Sequence, residues 1–546
     1  MSLVEAYRHH VSNSTFNHAE GDLNQFHVAG DLIQSRSTGE TGWSILQRSI
    51  AGDAFYNSEQ RFPPPQCHPQ TRTAVQNTIQ AWAEDPHPAP SVMWLYGPAG
   101  TGKSAVAQTM AEKWAASHKL AAAFFFARWR VGGSTGKSLF PTIAYQLALH
   151  IPPLRKAISL AVEADPAICD KALEDQARVL ILDPILALNL NASNPSLVIV
   201  DGLDECDSTI MQSRIVKITF ELLANNNLPL RFLICSRPEP RIRESFESLP
   251  IEVPFRRVVL DETFDPGRDI FRYLRDRLFQ IRMQRFPAYN FSWPTERDLD
   301  QLVHNASGQF IYAATVIKFV EDEYSHPIEQ LRVVLMISAE STDTSPFADL
   351  DALYKFILSV NPNVSLVLRI LGTYFAIPDS EGPRRHNTAF LDDILGLYTG
   401  SVRSALRGLH SLLFIPDSDQ QRIRLHHASL YDFFFNPLRA GNYFLDKQKY
   451  DNELAAKCYS LILSEFENPQ QNYPESVRYS IHHWVNHYHP TDEQQHSVEG
   501  CLNQIHTYLT RPRLEMFCRD PKAMTLRLVA MIDFLKATEM HPPVSA

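Results

Sequence analysis

Apolar and polar positions divide the chain into three stretches with different rhythms. Residues 1 to about 60 are mostly polar and rich in Gly, Ser and Asn. They carry one internal echo, since His18-Ala-Glu-Gly-Asp-Leu23 and His27-Val-Ala-Gly-Asp-Leu32 share H-x-x-G-D-L at an offset of nine residues. Gly-Asp behind a short alternating run favours a tight turn. The stretch therefore reads either as a small hairpin or β-arch, or as a flexible leader with an accidental repeat. Arg61-Phe-Pro-Pro-Pro-Gln-Cys-His-Pro69 is a stiff, extended linker, and a domain boundary belongs there.

The second stretch alternates. Thr73 to Glu84 has helical periodicity ending before Asp85-Pro86, and Ser91 to Tyr96 is a continuous apolar run of buried-strand length. Further runs at Ala122 to Phe126, Leu197 to Val200, Arg231 to Cys235 and Arg257 to Leu260 are separated by helical segments, which predicts an α/β fold with a parallel sheet. After residue 265 the rhythm is helical. Ile270, Phe271, Leu274, Leu278 and Ile281 fall on one face, and Arg268, Asp269, Arg272, Arg275, Asp276 and Arg282 lie between them. Mixed signs at that spacing read as a solvated helix face rather than a nucleic-acid surface. Gln421 to Leu425 alternates like a wing strand among short helices, and residues from about 440 onward read as helical without a repeat period.

Composition narrows the class. With 546 residues, 44% hydrophobic and 21% charged, the chain is long enough for three or four folded domains. A net charge of −10 argues against a nucleic-acid coat protein. Seven cysteines with no C-x-x-C pair fit a reducing compartment. The first residues lack a signal-peptide apolar region, and the most hydrophobic segment, Leu120 to Ala127, is far shorter than a membrane span. The expectation is a cytoplasmic protein without a membrane partner.

Gly97-Pro98-Ala99-Gly100-Thr101-Gly102-Lys103-Ser104 satisfies G-x-x-x-x-G-K-[ST] directly after a strand and before a helix that includes Ala105. Glycines let successive N–H groups and the helix N-terminus face a phosphate without a Cβ in the way. Lys103 is expected to reach the β and γ phosphates, and Ser104 to place its hydroxyl on Mg²⁺. Gly132 to Ser138 imitates this loop but is one residue short, with Val131 where the first glycine belongs, and reads as a turn into a helix near Leu139. Leu197-Val-Ile-Val-Asp201-Gly-Leu-Asp204-Glu205 is an apolar strand ending in acids: Asp201 is the second candidate metal ligand, and Asp204 or Glu205 a candidate for orienting water. Arg237, at the tip of the run from Arg231, is a candidate γ-phosphate sensor because guanidinium binds phosphate oxygens bidentately. No N-K-x-D or T-K-x-D motif is present, which favours ATP over GTP. His483 and His487 stand at i, i+4, a zinc-ligand spacing, but no Glu follows His483, and packing or surface histidines are the plainer reading.

Together, G-P-A-G-T-G-K-S, L-V-I-V-D-G-L-D-E and F-L-I-C-S-R-P-E-P resemble the NACHT ATPase module of fungal NOD-like receptor proteins, especially the basidiomycete group. Matches at Arg61 to Pro69, Ala144 to Ala148, Ser307 to Tyr312 and Leu350 to Tyr354 extend the likeness over about residues 61 to 440. The resemblance implies a STAND-class signalling switch of innate-immunity type. Its parts would be a polar leader at 1–60, a NACHT nucleotide-binding domain at 61–262, a helical domain at 263–345, a winged-helix-like domain at 346–440 and a helical region at 441–546. It also implies that His427, in Leu425-His-His427-Ala-Ser-Leu-Tyr-Asp-Phe433, touches the β-phosphate of ADP, and it places Arg128 near the nucleotide edge. Leu430 stands where the family usually has Phe.

No leucine-rich, WD or ankyrin period follows the core and no enzyme-like domain precedes it, so a complete receptor is not expected in this sequence. The H-x-x-G-D-L pair is alternatively a short amyloid-type signalling motif, although Asp22 and Asp31 would repel when stacked in register. The expected function is an ADP-bound closed state that exchanges to an ATP-bound, self-associating state with weak hydrolysis. The upstream ligand and downstream effector are unspecified. A nucleic-acid-stimulated motor or a small-molecule kinase are the alternatives.

Overall fold

The structure is a computed structural model. It describes residues 23–28, 31–36, 41–85, 90–127, 136–190, 195–224, 228–249, 254–287, 292–337, 345–378, 383–467, 474–483 and 487. Two compact units emerge, Met1–Ile50 with Lys137–Asn191, and Ala51–Gly136 with Ala192–Ala546.

In the first unit, β1 (Leu23–Val28) and β2 (Asp31–Arg36) pair antiparallel, with Val28 opposite Asp31. Asp31 of the second H-x-x-G-D-L copy thus begins the returning strand of the hairpin-like pair. The first copy lies outside the described residues except for Leu23. The helix Gly42–Ser49 rests on the helix Pro152–Ala164, where the Gly42 N–H donates to Glu163 and the Trp43 N–H to Ser159. A Cβ on Gly42 would sit 2.0 Å from the Ser159 carbonyl oxygen, so this crossing requires glycine. Trp43 stacks on Tyr145 and also meets the Arg155 guanidinium. The helix Leu139–His150 begins where the imitation P-loop predicts; of that imitation loop, residues 136–138 are described and form a short turn.

The second unit contains the expected parallel sheet. Strands β3 (Val92–Tyr96), β4 (Leu120–Phe125), β5 (Ser196–Asp201), β6 (Leu230–Ser236) and β7 (Arg256–Val259) are ordered β4-β5-β6-β3-β7, and every pair is parallel. Continuous apolar runs form here because both faces are covered. Met93, Leu95, Phe125, Ile199 and Leu233 pack against Val106, Met110 and Trp114 of the helix Lys103–Ala116. On the opposite face Trp94 stacks on Phe246 at 4.2 Å, and Phe246 meets Phe220 of the helix Thr209–Ala224. Each fully buried aliphatic or aromatic side chain contributes roughly 1.5–3 kcal/mol.

Among the described residues from Pro266 to His483 the chain is mostly helical, around one continuous hydrophobic cluster that runs from Ile270 to Tyr479. A short antiparallel pair, β8 (Leu413–Phe414) and β9 (Arg424–Leu425), supplies the strand expected near Gln421 to Leu425. The helix Ala428–Phe434 follows it. Among the described residues no single helix is long and apolar enough to cross a membrane. The order of the parallel strands and the loop that joins β3 to its helix make this an α/β P-loop NTPase-like fold.

Candidate nucleotide site

Open parallel sheets bind ligands beyond the C-terminal ends of their strands, and β3, β6 and β5 lie side by side there. The loop after β3 has Gly100 at φ +78° and Gly102 at φ +94°, conformations that other residues rarely adopt. A Cβ on Gly100 would also come within 2.3 Å of Ile311. Lys103 begins the following helix and its Nζ donates to the Gly97 and Pro98 carbonyls at 2.7 Å each, so the ammonium lies within the loop. Burial pushes its pKa down to about 8.

Asp201 ends β5 on the same face as Phe125, its partner on β4. Burial raises its pKa to about 6, opposed by a hydrogen bond from Ser104. Its Oδ1 is buried without a hydrogen-bond partner. A carboxylate oxygen shielded from water beside a hydroxyl fits a hard divalent cation, so Ser104 and Asp201 suit Mg²⁺.

Gly202, at φ +70°, turns the chain into the short helical turn Leu203–Glu205. Asp204 is buried and faces the tip of β6: its Oδ1 accepts the Arg237 backbone N–H at 2.9 Å, and its Oδ2 pairs with Arg237 Nε at 3.1 Å. Arg237 Nη1 pairs with Asp432 Oδ2 at 2.6 Å on the helix Ala428–Phe434. Burial disfavours the charged guanidinium, yet Asp432, Asp204 and Glu205 more than offset this and hold its pKa above the ordinary value. Glu205 lines the cavity.

His427 caps the helix Ala428–Phe434, where its Nδ1 accepts the Ser429 N–H at 2.9 Å. The neutral ring therefore carries its proton on Nε2. Burial, then Arg237 and Lys103, push its pKa down to about 3, so it is neutral at physiological pH. His426 also lines the cavity, but its Nε2 donates to the His410 carbonyl at 2.9 Å. Of the two adjacent histidines, His426 thus has its Nε2 donor committed to backbone, whereas His427 accepts at the N-cap through Nδ1 and leaves Nε2 as its donor.

These groups surround a cavity of about 430 Å³, a volume that suits a nucleotide-sized ligand. The segment 60–68 forms one wall, and Arg424 Nη1 closes on the Gln60 carbonyl at 2.9 Å. Residues that the sequence analysis did not single out also converge here. Arg61 is buried over the Phe125 ring and donates to Gln108 on the P-loop helix. Asp432 lay inside the segment quoted for His427, where no spacing marked its role. Arg72, in Thr71-Arg-Thr73, had no pattern to mark it.

The mixed charges on the helix Pro266–Arg285 require a correction. Instead of forming only a solvated face, Asp269 accepts the Arg72 N–H at 2.8 Å, Arg272 donates to the Gln70 carbonyl at 2.9 Å and Asp276 pairs with His68 at 3.1 Å. The charged stripe grips the segment that leads into the sheet. His487 is buried between Asp451 and the Tyr479 hydroxyl, and His483 stacks on Tyr479, an arrangement of packing and hydrogen bonding. Arg128 lies outside the described residues.

Residues 72–237 match the family model described as Nephrocystin 3, N-terminal. No curated protein matches the chain. Among solved structures, Drosophila ORC bound to DNA is similar at 16% identity, covering 67% of this chain and 96% of that chain, with a TM-score of 0.30. Drosophila ORC bound to AT-rich DNA and Cdc6 aligns at 10% identity over 97% of this chain and 75% of that chain, with a TM-score of 0.23. Superpositions this loose carry no argument, and the fold rests on the strand order and the phosphate loop. The chain contains a P-loop NTPase module, of which residues 72–237 match the Nephrocystin 3 N-terminal family.

Proposed function

We propose that the protein is an ATP/ADP-operated signalling switch of the NACHT type, closed with ADP and self-associating with ATP. The observation that carries this reading is Arg237, held at once by Asp204 of the sheet edge and by Asp432 of a helix nearly 200 residues later. A third phosphate approaching Arg237 competes with Asp432 for the same guanidinium. ADP leaves that pair intact, whereas ATP weakens the hold of the helix Ala428–Phe434 on the sheet. His427 supplies a neutral Nε2 donor for a diphosphate, and the P-loop amides with Lys103 supply the remainder of the cradle. Mg²⁺, when bound by Ser104 and Asp201, would offset phosphate charge. Glu205 is the better placed acid for orienting water, because Asp204 is committed to Arg237.

The deciding experiment is to denature freshly purified protein and identify the nucleotide it releases. Near-stoichiometric ADP supports a closed switch. An empty site with rapid turnover that DNA or a small acceptor stimulates overturns it in favour of a motor or a kinase.

Glu205→Gln should bind ATP normally and hydrolyse it about 100-fold more slowly, the usual scale for losing a general base. Single-turnover hydrolysis measures this, and a wild-type rate moves the water-orienting role elsewhere.

His427→Ala should raise the ADP off-rate roughly 10-fold or more, the effect of losing one hydrogen bond to a charged group. The same variant has a pH signature. The folded-state pKa of about 3 lies below the unfolded value of 6.5, so the stability contributed by the neutral ring is fully present above pH 6.5 and is lost as pH falls toward 3. His427→Ala should therefore decline less steeply than wild type in denaturation midpoint between pH 6.5 and 4. Superimposable curves would remove the ring from its buried setting.

A further inference from the structure

We propose that Arg72 is a positioning residue of the phosphate loop, holding the Thr101–Gly102 peptide so that its N–H faces the phosphate site and tying that peptide to the helix Pro266–Arg285. The inference rests on the reading of Gly97–Ser104 as a nucleotide cradle.

Arg72 Nη2 donates to the Thr101 carbonyl at 2.8 Å. In a trans peptide the carbonyl and the following N–H point in opposite directions, so a carbonyl held from outside the loop aims the Gly102 N–H inward. The preceding peptide is held in the same way, because the Ile311 N–H donates to the Gly100 carbonyl at 3.3 Å. Two consecutive peptides of the cradle are thus oriented by groups outside it. Gly102 sits at φ +94° and, having no Cβ, would be free to rotate without such a hold.

The setting of Arg72 argues against a role in packing alone. Its side chain is buried, 4% exposed, beside the Phe310 ring. Nε and Nη1 are buried without hydrogen-bond partners, at a cost of roughly 1–3 kcal/mol each. A methionine would fill similar space without stranding two donors. The backbone is also strained, at φ +52° in the left-handed region, which costs a residue with a Cβ about 1–2 kcal/mol. Asp269 accepts the Arg72 N–H and holds the residue there. Any movement of the helix bearing Asp269 therefore reaches the phosphate loop through one side chain.

The test uses Arg72→Met and Arg72→Lys in the full chain, with Lys103→Ala alongside. The readouts are ADP affinity, the melting temperature of nucleotide-free protein, and amide hydrogen exchange of the segment 97–105 without nucleotide. Arg72→Met should weaken ADP binding about 10- to 100-fold, the scale of one charge-assisted hydrogen bond. It should speed exchange in 97–105 while melting near the wild-type temperature, and Arg72→Lys should recover most of the affinity. Unchanged exchange in 97–105, wild-type affinity for Arg72→Met, or no recovery by Arg72→Lys overturns the proposal. If Arg72→Met does not fold, Asp269→Ala carries the same test, since it releases the Arg72 N–H without opening the core. Faster exchange in 97–105 then supports the proposal and unchanged exchange overturns it. Wild-type protein that binds ADP no better than Lys103→Ala overturns the nucleotide reading itself, a result distinct from failure of Arg72 alone.

Discussion

Lys103→Ala should leave a folded protein that no longer retains ADP or ATP. The ammonium lies inside the loop on the Gly97 and Pro98 carbonyls, and a phosphate there would accept at least two charge-assisted hydrogen bonds from it. At about 1.5–3 kcal/mol each, their loss weakens binding roughly 10²- to 10⁴-fold. The fold should tolerate the change. Alanine removes two hydrogen bonds, but it also removes a buried charge whose desolvation holds its pKa down to about 8. Melting curves with and without saturating ADP separate the two effects. The variant should melt near the wild-type temperature without nucleotide and gain nothing when ADP is added. Retained tight binding would mean that Gly97–Ser104 is not the phosphate cradle.

Asp432→Asn should loosen the closed state. Arg237 and Asp432 meet at 2.6 Å with side chains only 16% and 18% exposed, between the surface and buried limits for ion pairs. Removing the carboxylate charge should cost about 1–3 kcal/mol of closure, intermediate between those limits. That corresponds to an ADP off-rate raised roughly 5- to 150-fold. Asp204 still pairs with Arg237, so the sheet edge should keep its geometry. Release of a fluorescent ADP analogue measures the first effect. Light scattering after gel filtration measures the second, a larger mass at lower ATP concentration than wild type requires. A variant with the wild-type off-rate and mass would show that the pair does not restrain the helix Ala428–Phe434.

The parts legible in sequence were those with local rules. Strand β5 announces itself because four apolar residues precede Asp201, and a strand buried on both faces needs such a run. The loop from Gly97 to Ser104 is a contiguous motif whose glycines meet local dihedral demands. Arg237 was readable as the tip of an apolar strand. Its partner Asp432 was not, because that pairing depends on how a later helix seats against the sheet. Arg72 illustrates the same limit. Its hydrogen bond to Thr101 joins a residue before one helix to a loop before another, and no spacing encodes it. The charges of Pro266–Arg285 were misjudged for a related reason. Helical periodicity compares residues three and four apart, while Asp269, Arg272 and Asp276 find partners about 200 residues upstream.

The bond from Arg424 to Gln60 spans 364 residues of chain. During synthesis, one wall of the cavity exists long before the other. His427 is added 324 residues after Lys103, an interval of roughly 16 to 65 s at ordinary elongation rates. Until that interval ends, Gly97–Ser104 has neither Arg424 nor His427 opposite it. On the proposed switch reading, a nucleotide bound at the loop when the late wall arrives would be the first one enclosed. Enclosure of any ligand in this cavity is therefore a late event in the making of each molecule, set by when residues 424–427 emerge.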